Sequence, residues 1–440
     1  MNLWQRFTTF CTYCDRDSDA LTEKTFYDEY RNLARLSLLY PNLNRPYVFL
    51  QILQFFVYFF VLSTNVLAML SSAFVIESED FLLSMHAIHL SFIFFLFLAF
   101  IFLGNYTRHD FTMIHKIIGN RVFNYNGEDI TDEETKMCLV YFKIKTRAKI
   151  IIPFLNIIAG FTLFVIGPLV DKALGAEEKR TYTKFGVNLV LPLPVLYPFE
   201  AHEGINFYLA FLFQCLSAII VILILSGCTC IFVTGTTYMI IQLERLLISI
   251  KRIETRALHL YRKIYGENVL LENNDRYKDR NYLNCLQICI KRNIQHHQQI
   301  MRLCNHFNRV CRGPVFASFF AGGVVLGISA LVIIIGGERP GIVLGTLTLI
   351  FPEVANLACI CLAGQRVIDL NQQVRLSIYS VQWYKYSSTF KPYMSVVQEM
   401  TYPDLVIRGL FSTTANMESF GNVLNTAYSY FSLLLAFKKS

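Results

Sequence analysis

The chain has 440 residues, of which 54% are hydrophobic, 15% aromatic and only 16% charged, with a mean hydropathy of +0.41. Soluble domains carry roughly a quarter charged residues, so this balance excludes an ordinary soluble globular protein and points to a polytopic membrane protein. The net charge of +8 is spread between apolar runs rather than gathered in one block, which argues against a nucleic-acid partner.

Residues 1–45 contain six Lys/Arg and six Asp/Glu and no apolar core ahead of a small-residue cleavage site. No secretory signal peptide is expected, and the first hydrophobic run acts as an uncleaved anchor. "CTYC" at Cys11–Cys14 has redox or zinc spacing, but no second pair stands near it and two ordinary reduced cysteines are the expectation. Seven runs then reach the length needed to cross a hydrocarbon core: 46–75, 83–104, 150–171, 205–234, 314–336, 341–363 and 414–437. None contains a lysine or arginine.

The connections set the orientation. Those including the N-terminal segment, 105–149, 235–313 and 364–413 hold 33 of the 40 Lys/Arg, and the other side with the tail holds 7. By the positive-inside tendency the N-terminus is cytoplasmic and the C-terminus extracellular. The three outer connections contain none of the twelve cysteines, so no extracellular disulfide framework is expected. The only glycosylation sequon, Asn105-Tyr106-Thr107, falls inside. This topology is opposite to that of G-protein-coupled receptors. The acidic-Arg-Tyr and Asn-Pro-x-x-Tyr marks of that class are also missing.

The inner segments have helical patterning. Leu243, Leu246, Ile250, Ile253, Ala257, Leu260 and Ile264 continue the fourth span as an amphipathic helix, and Gly266 with an Asn/Asp cluster breaks it. Leu283, Leu286, Ile290, Ile294, Met301, Cys304 and Val310 form a second stripe leading to Pro314, and a further helix is expected over Val367–Met400. The expected fold is therefore all-α: seven transmembrane helices with long cytoplasmic extensions forming an anchor. Its segments are 1–45 (cytoplasmic), 46–234 (helices 1–4), 235–313 (cytoplasmic extensions), 314–363 (helices 5–6), 364–413 (cytoplasmic helix and turn) and 414–437 (helix 7). The extensions bury their stripes either within the chain or against another subunit.

In the last run, "ESFGNVLNTAYSYFSLLLAF", steps of four and three place Glu418, Asn422, Asn425, Ser429, Ser432 and Ala436 on one helix face. Polar groups in a bilayer need water or a polar neighbour, so the stripe either lines a pore or holds this helix to another. A transporter is a further reading, with Pro153, Pro168 and Pro352 as helix breaks; an odd span count and no internal repeat oppose it. No P-loop, Gly-x-Ser-x-Gly, His-Glu-x-x-His or dinucleotide fingerprint is present, so no enzymatic activity and no cofactor are expected.

With these residues in place, the C-terminal third resembles the insect odorant receptors. The resemblance rests on Ile378-Tyr379, Gln382-Trp383-Tyr384, the "GQRVID" after the sixth span, and the Ser429-Tyr430 to Phe437 end of the last run. Gustatory receptors carry a closing Thr-Tyr and Gln-Phe where this chain has Ser429-Tyr430 and Ala436-Phe437. The resemblance implies a ligand-tuned subunit of an odorant-gated cation channel in the plasma membrane of olfactory sensory neurons. Its implied partners are the shared co-receptor, in a heterotetramer, membrane lipid and a small volatile apolar odorant. A gustatory channel or a G-protein-coupled chemoreceptor is the alternative.

The resemblance also implies site residues. Asn422, Asn425, Ser429, Ser432 and Ala436 would line the pore and Leu433 would stand at its gate. Ala436 replaces the polar Gln of the co-receptor, which puts this subunit's own share in selectivity in doubt. A ligand site is expected in the outer halves of spans two, three, four and six. Span two offers Met85, His86, His89, Phe92 and Ile93, and span three Gly160, Phe161, Phe164 and Val165. Span four offers Phe207, Tyr208, Phe211 and Leu212, and span six Thr346 and Leu349. This mixture suits a small molecule with one oxygen function, and with no Lys or Arg and no central acid apart from Glu353 there, a charged amine or carboxylic acid is not expected. His86 and His89 have helical spacing but no third metal ligand, so no metal is expected. Glu353, after Pro352, either faces a cavity or makes a buried hydrogen bond.

Overall fold

In a bilayer every backbone polar group must be bonded within the chain, so long apolar runs resolve into helices. The computed structural model describes residues 37–38, 48–76, 81–119, 123, 125, 132–174, 186–188, 190–266, 278–335, 340–381, 383–386, 391–402 and 404–439. Cys11–Cys14, most of segment 1–45 and the Asn/Asp cluster after Gly266 lie outside the described residues.

Among the described residues the elements are helical. They are α1 (Val48–Ile76), α2 (Phe81–Tyr106), α3 (Arg108–Gly119), α4 (Asp132–Phe161), a π-helical turn (Thr162–Ile166), α5 (Gly167–Ala173), α6 (Gly204–Lys251), α7 (Ile253–Tyr265), α8 (Arg280–Ile335), α9 (Pro340–Ser380), α10 (Lys391–Thr401) and α11 (Met417–Lys439). Six helical stretches are long and apolar enough to cross a membrane: α1, α2, α4 continuing into α5, α6, α8 and α9. The 23-residue α11 has the length of a span but is amphipathic.

Several helices far outrun a bilayer. At 1.5 Å per residue, the 56 residues of α8 extend about 84 Å, against a hydrocarbon core of about 30 Å. The projecting parts of α6, α8 and α9 pack with α3, α7 and α10 around one large apolar core. Leu243, Leu246, Ile250, Ile253, Ala257, Leu286, Ile290 and Cys304 are buried there, so packing within the chain absorbs most of both stripes. Arg252 (φ −102°, ψ 19°) interrupts the helix between α6 and α7, and Gly266 ends α7 at φ 107°, a conformation open to glycine.

The helix expected over Val367–Met400 is broken. α9 stops at Ser380, a short turn covers Trp383–Lys385, and α10 starts at Lys391. Pro392 explains the restart: proline suits the first helical turn but disfavours helix at the residue before it. A second difference is α4, which begins at Asp132, well before the expected start at 150. No glycine or proline interrupts the chain between Asp132 and Pro153.

Polar contacts tie this projecting bundle together. Arg366 of α9 donates to Glu244 of α6 at 2.5 Å and to the Tyr141 hydroxyl of α4 at 3.1 Å, while Tyr141 donates to Glu244 at 2.9 Å. His296 of α8 is fully buried, 2.6 Å through Nδ1 from the Tyr125 hydroxyl and 3.0 Å through Nε2 from Gln242 Oε1. Burial holds its pKa well below the ordinary histidine value, with Arg245, His297 and Arg256 adding to the effect.

Candidate functional site: a membrane cavity and an uncovered polar helix face

The membrane part of the bundle encloses a cavity of about 180 Å³ between α2, α4, α6, α8, α9 and the π turn. Apolar residues make most of its wall, including Phe94, Phe97, Phe100 and Leu225. The π turn contributes Leu163 and Phe164; such local insertions re-aim side chains and recur at functional sites. Four polar side chains share the wall with Ser318: His89, Asn156, Glu353 and Asn356. Asn356 accepts a hydrogen bond from Thr229 at 3.0 Å, whereas Asn156 Nδ2 and both ring nitrogens of His89 are buried without a partner among the described residues.

Pro352 is itself part of this wall. Pro352 lies inside α9 between the lining residues Leu349 and Glu353 and removes the donor for the Thr348 carbonyl. Gly345 and Gly341 let α9 approach the π turn and α5 closely; a Cβ added at Gly345 would lie 2.8 Å from a Leu163 methyl. The Gly341 backbone N–H donates to Asp171 at 2.7 Å.

Of the fifteen residues expected at a ligand site, His89, Ile93, Gly160, Phe164 and Leu349 line the cavity. His86 and Thr346 are buried but stand outside its wall. Phe92 packs edge-on against Phe320 at 5.7 Å. Phe161, Val165, Tyr208 and Leu212 are exposed on the outside of the bundle, facing away from the cavity. The Met85 side chain lies outside the described residues. Among the described residues no group of three His, Cys, Asp or Glu is placed to hold a metal.

The cavity uses α6 at Ala218, Val221, Ile222 and Leu225, about two to five turns past Tyr208 and Leu212. The reason is the segment before α6, which folds into the end of the bundle. Leu191, Leu193, Val195 and Ala201 are buried, and Phe207 and Phe211 pack against this segment rather than against open space. Gln214, fully buried on α6, clamps it: its Oε1 accepts from the Leu193 N–H at 2.9 Å, and its Nε2 donates to the Leu193 carbonyl at 3.0 Å. Ser72 of α1 accepts from the Leu196 N–H at 2.6 Å. Leu193 thereby forms part of the cavity roof. The clamp went unforeseen because a lone glutamine in an apolar run gives no sign of which backbone it will meet.

α11 rests on α8 and α9 through a narrow face that includes Val423 and Ala427. Gly323 and Gly327 allow the approach; a Cβ at Gly327 would stand 2.9 Å from Tyr430 Cβ and 3.0 Å from the Ala427 carbonyl. Asn422, Asn425, Ser429, Ser432, Leu433, Ala436 and Glu418 are all exposed on the side turned away. Ser429 and Ser432 bond only their own helix, at the carbonyls of Asn425 and Tyr428. Among the described residues, the stripe therefore does not bind α11 to another helix. "GQRVID" joins the bundle to the start of α11: Gly364 lies against Ala415, and Gln365 accepts from the Met417 N–H at 3.4 Å.

The fold is that of a solved receptor. The olfactory receptor OR5 from the insect Machilis hrabei superposes with a TM-score of 0.71 at 10% identity, over 94% of this chain and 99% of that one. Its complex with eugenol gives 0.72 at 11% identity, over 94% and 100%. Among curated protein sequences nothing matches. The profile of the family described as 7tm Odorant receptor matches residues 123–428. The chain belongs to the 7tm odorant receptor family.

Proposed function

We propose that the chain is the ligand-tuned subunit of an odorant-gated, non-selective cation channel that assembles with a co-receptor in the plasma membrane of olfactory neurons. The observation that carries this reading is the face of α11 that no described part of the chain covers. Polar side chains at membrane depth are costly unless wetted, and Asn422, Asn425, Ser429 and Ser432 gain water if copies of α11 surround a pore. Leu433 then stands as its apolar constriction and Ala436 near its outer end. Tyr379 and Tyr384, both about two-thirds exposed on the projecting bundle, suit contacts between subunits. The N-terminus and the long extensions are cytoplasmic in this reading and the C-terminus extracellular, in line with the distribution of Lys and Arg.

The ligand site is the cavity, and the ligand a small volatile molecule with a mainly apolar body. The relative from Machilis hrabei was solved with eugenol, which supports a ligand of this size class. Ligand opens the pore only to the extent that it binds the open state more tightly than the closed one. The route is short: Glu353 and Asn356 in the wall belong to the same helix, α9, as Gln365 at the start of α11. Co-expression with a co-receptor and recording under an odorant panel tests this. Odorant-evoked cation current is expected; absence of current for the whole panel, with the protein at the cell surface, contradicts it.

A further inference from the structure

We propose, building on the reading above, that the cavity is tuned to small amines: a protonated nitrogen beside Glu353 and an apolar, ring-sized body against the phenylalanines. The carboxylate of Glu353 lines a largely apolar cavity at membrane depth, and no described residue forms an ion pair or hydrogen bond with it. No Lys or Arg is present in the wall. A carboxylate in such a place is costly without a counter-charge, and a ligand ammonium supplies one together with several N–H donors. His89 adds a ring nitrogen without a partner as a second acceptor, and Asn156 Nδ2 a free donor for an oxygen on the ligand body. Buried polar atoms left unpaired are uncommon, and here they converge on one space. Phe94, Phe97 and Phe164 stand in the same wall, where aromatic rings offer a ligand cation a further favourable contact. A cavity of roughly 150 Å³ suffices for benzene, so about 180 Å³ has room for a ring with a short arm. The sequence alone makes a charged ligand unattractive because it does not reveal that Glu353, His89 and Asn156, from three helices, meet at one cavity.

The test uses the purified full-length chain in detergent. Ligand binding is read as thermal stabilisation across concentration series of 2-phenylethylamine, 2-phenylethanol and ethylbenzene, which share a ring and differ at one polar position. A charge-assisted hydrogen bond favours the amine by about tenfold over the alcohol. Glu353→Gln, which keeps shape and hydrogen-bonding capacity, is expected to bring that ratio to one or below while the alcohol still binds. Equal or weaker binding of the amine by the wild-type chain overturns the proposal. So does an amine preference that survives Glu353→Gln, or binding of none of the three. If Glu353→Gln does not fold, the wild-type ratio decides alone. Because no current is needed, failure of the channel reading is separable: currents would be missing for every odorant while this binding ratio stands.

Discussion

Replacing Gln214 by leucine, similar in volume and without polar atoms, should release the roof of the cavity. The side chain makes two hydrogen bonds to one residue, at 2.9 Å to the Leu193 N–H and 3.0 Å from Nε2 to the Leu193 carbonyl, and is fully buried. Removing both leaves the Leu193 N–H unpaired, at about 1–3 kcal/mol, while the Leu193 carbonyl keeps the Val195 N–H at 2.9 Å. At 1.36 kcal/mol per factor of ten, the open population of the roof segment rises by about 5- to 150-fold. Hydrogen exchange measured by mass spectrometry on a peptide covering 190–197 reads this directly. Pro192 and Pro194 carry no N–H, so the signal comes from a few amides, with Leu193 and Leu196 the best protected. Protection at Leu193 should fall by that factor while peptides from α8 stay unchanged. Unaltered exchange across 190–197 would refute the clamp, and with it the explanation of why the cavity lies deeper than Tyr208 and Leu212.

Gly327→Val should separate α11 from α8, because the added Cβ meets Tyr430 and the Ala427 carbonyl at about van der Waals overlap. Overpacking of this kind costs about 1–3 kcal/mol; a lowered unfolding temperature with altered basal current is expected, and wild-type values for both would contradict the packing. Acidification should weaken the projecting bundle. His296 has a lowered folded-state pKa, so between that value and about 6.5 the unfolded chain binds more protons and stability falls as pH drops. From pH 7.5 to 5.5 a cost of order 1 kcal/mol per such histidine follows, and thermal unfolding of His296→Gln should depend less on pH than wild type. An identical pH profile in the variant would rule His296 out.

Much of the fold is legible in the sequence because each apolar run has the length a bilayer demands and each inner stripe keeps a 3.6-residue period. The stripe from Leu243 to Ala257 is buried as its spacing requires. Local signals fail where the outcome depends on tertiary contact. The π turn at Thr162–Ile166 has no local mark beyond Pro168 nearby, and the break after Ser380 is visible only in Pro392. The candidate site is legible in part for the same reason. His89, Ile93, Gly160, Phe164 and Leu349 share helical faces that turn inward, but hydropathy does not distinguish an aromatic facing lipid, such as Phe161, from one facing a cavity. Depth was hidden too, since it depends on a connecting segment folding inward. For α11 the sequence pattern alone separates a polar face, and the structure adds that no other described helix covers it.

The most direct test of the account is cysteine accessibility on that face. Ser429→Cys, co-expressed with a co-receptor, is treated with a positively charged, membrane-impermeant thiol reagent while odorant-evoked current is recorded. Ser429 is exposed and its hydroxyl bonds only the Asn425 carbonyl, so the substitution disturbs little. If α11 lines the ion path, modification reduces the current in Ser429→Cys and leaves Ser429→Ala unaffected. Full current after exhaustive treatment, with labelling of Cys-bearing protein verified by mass, would contradict a pore on this face.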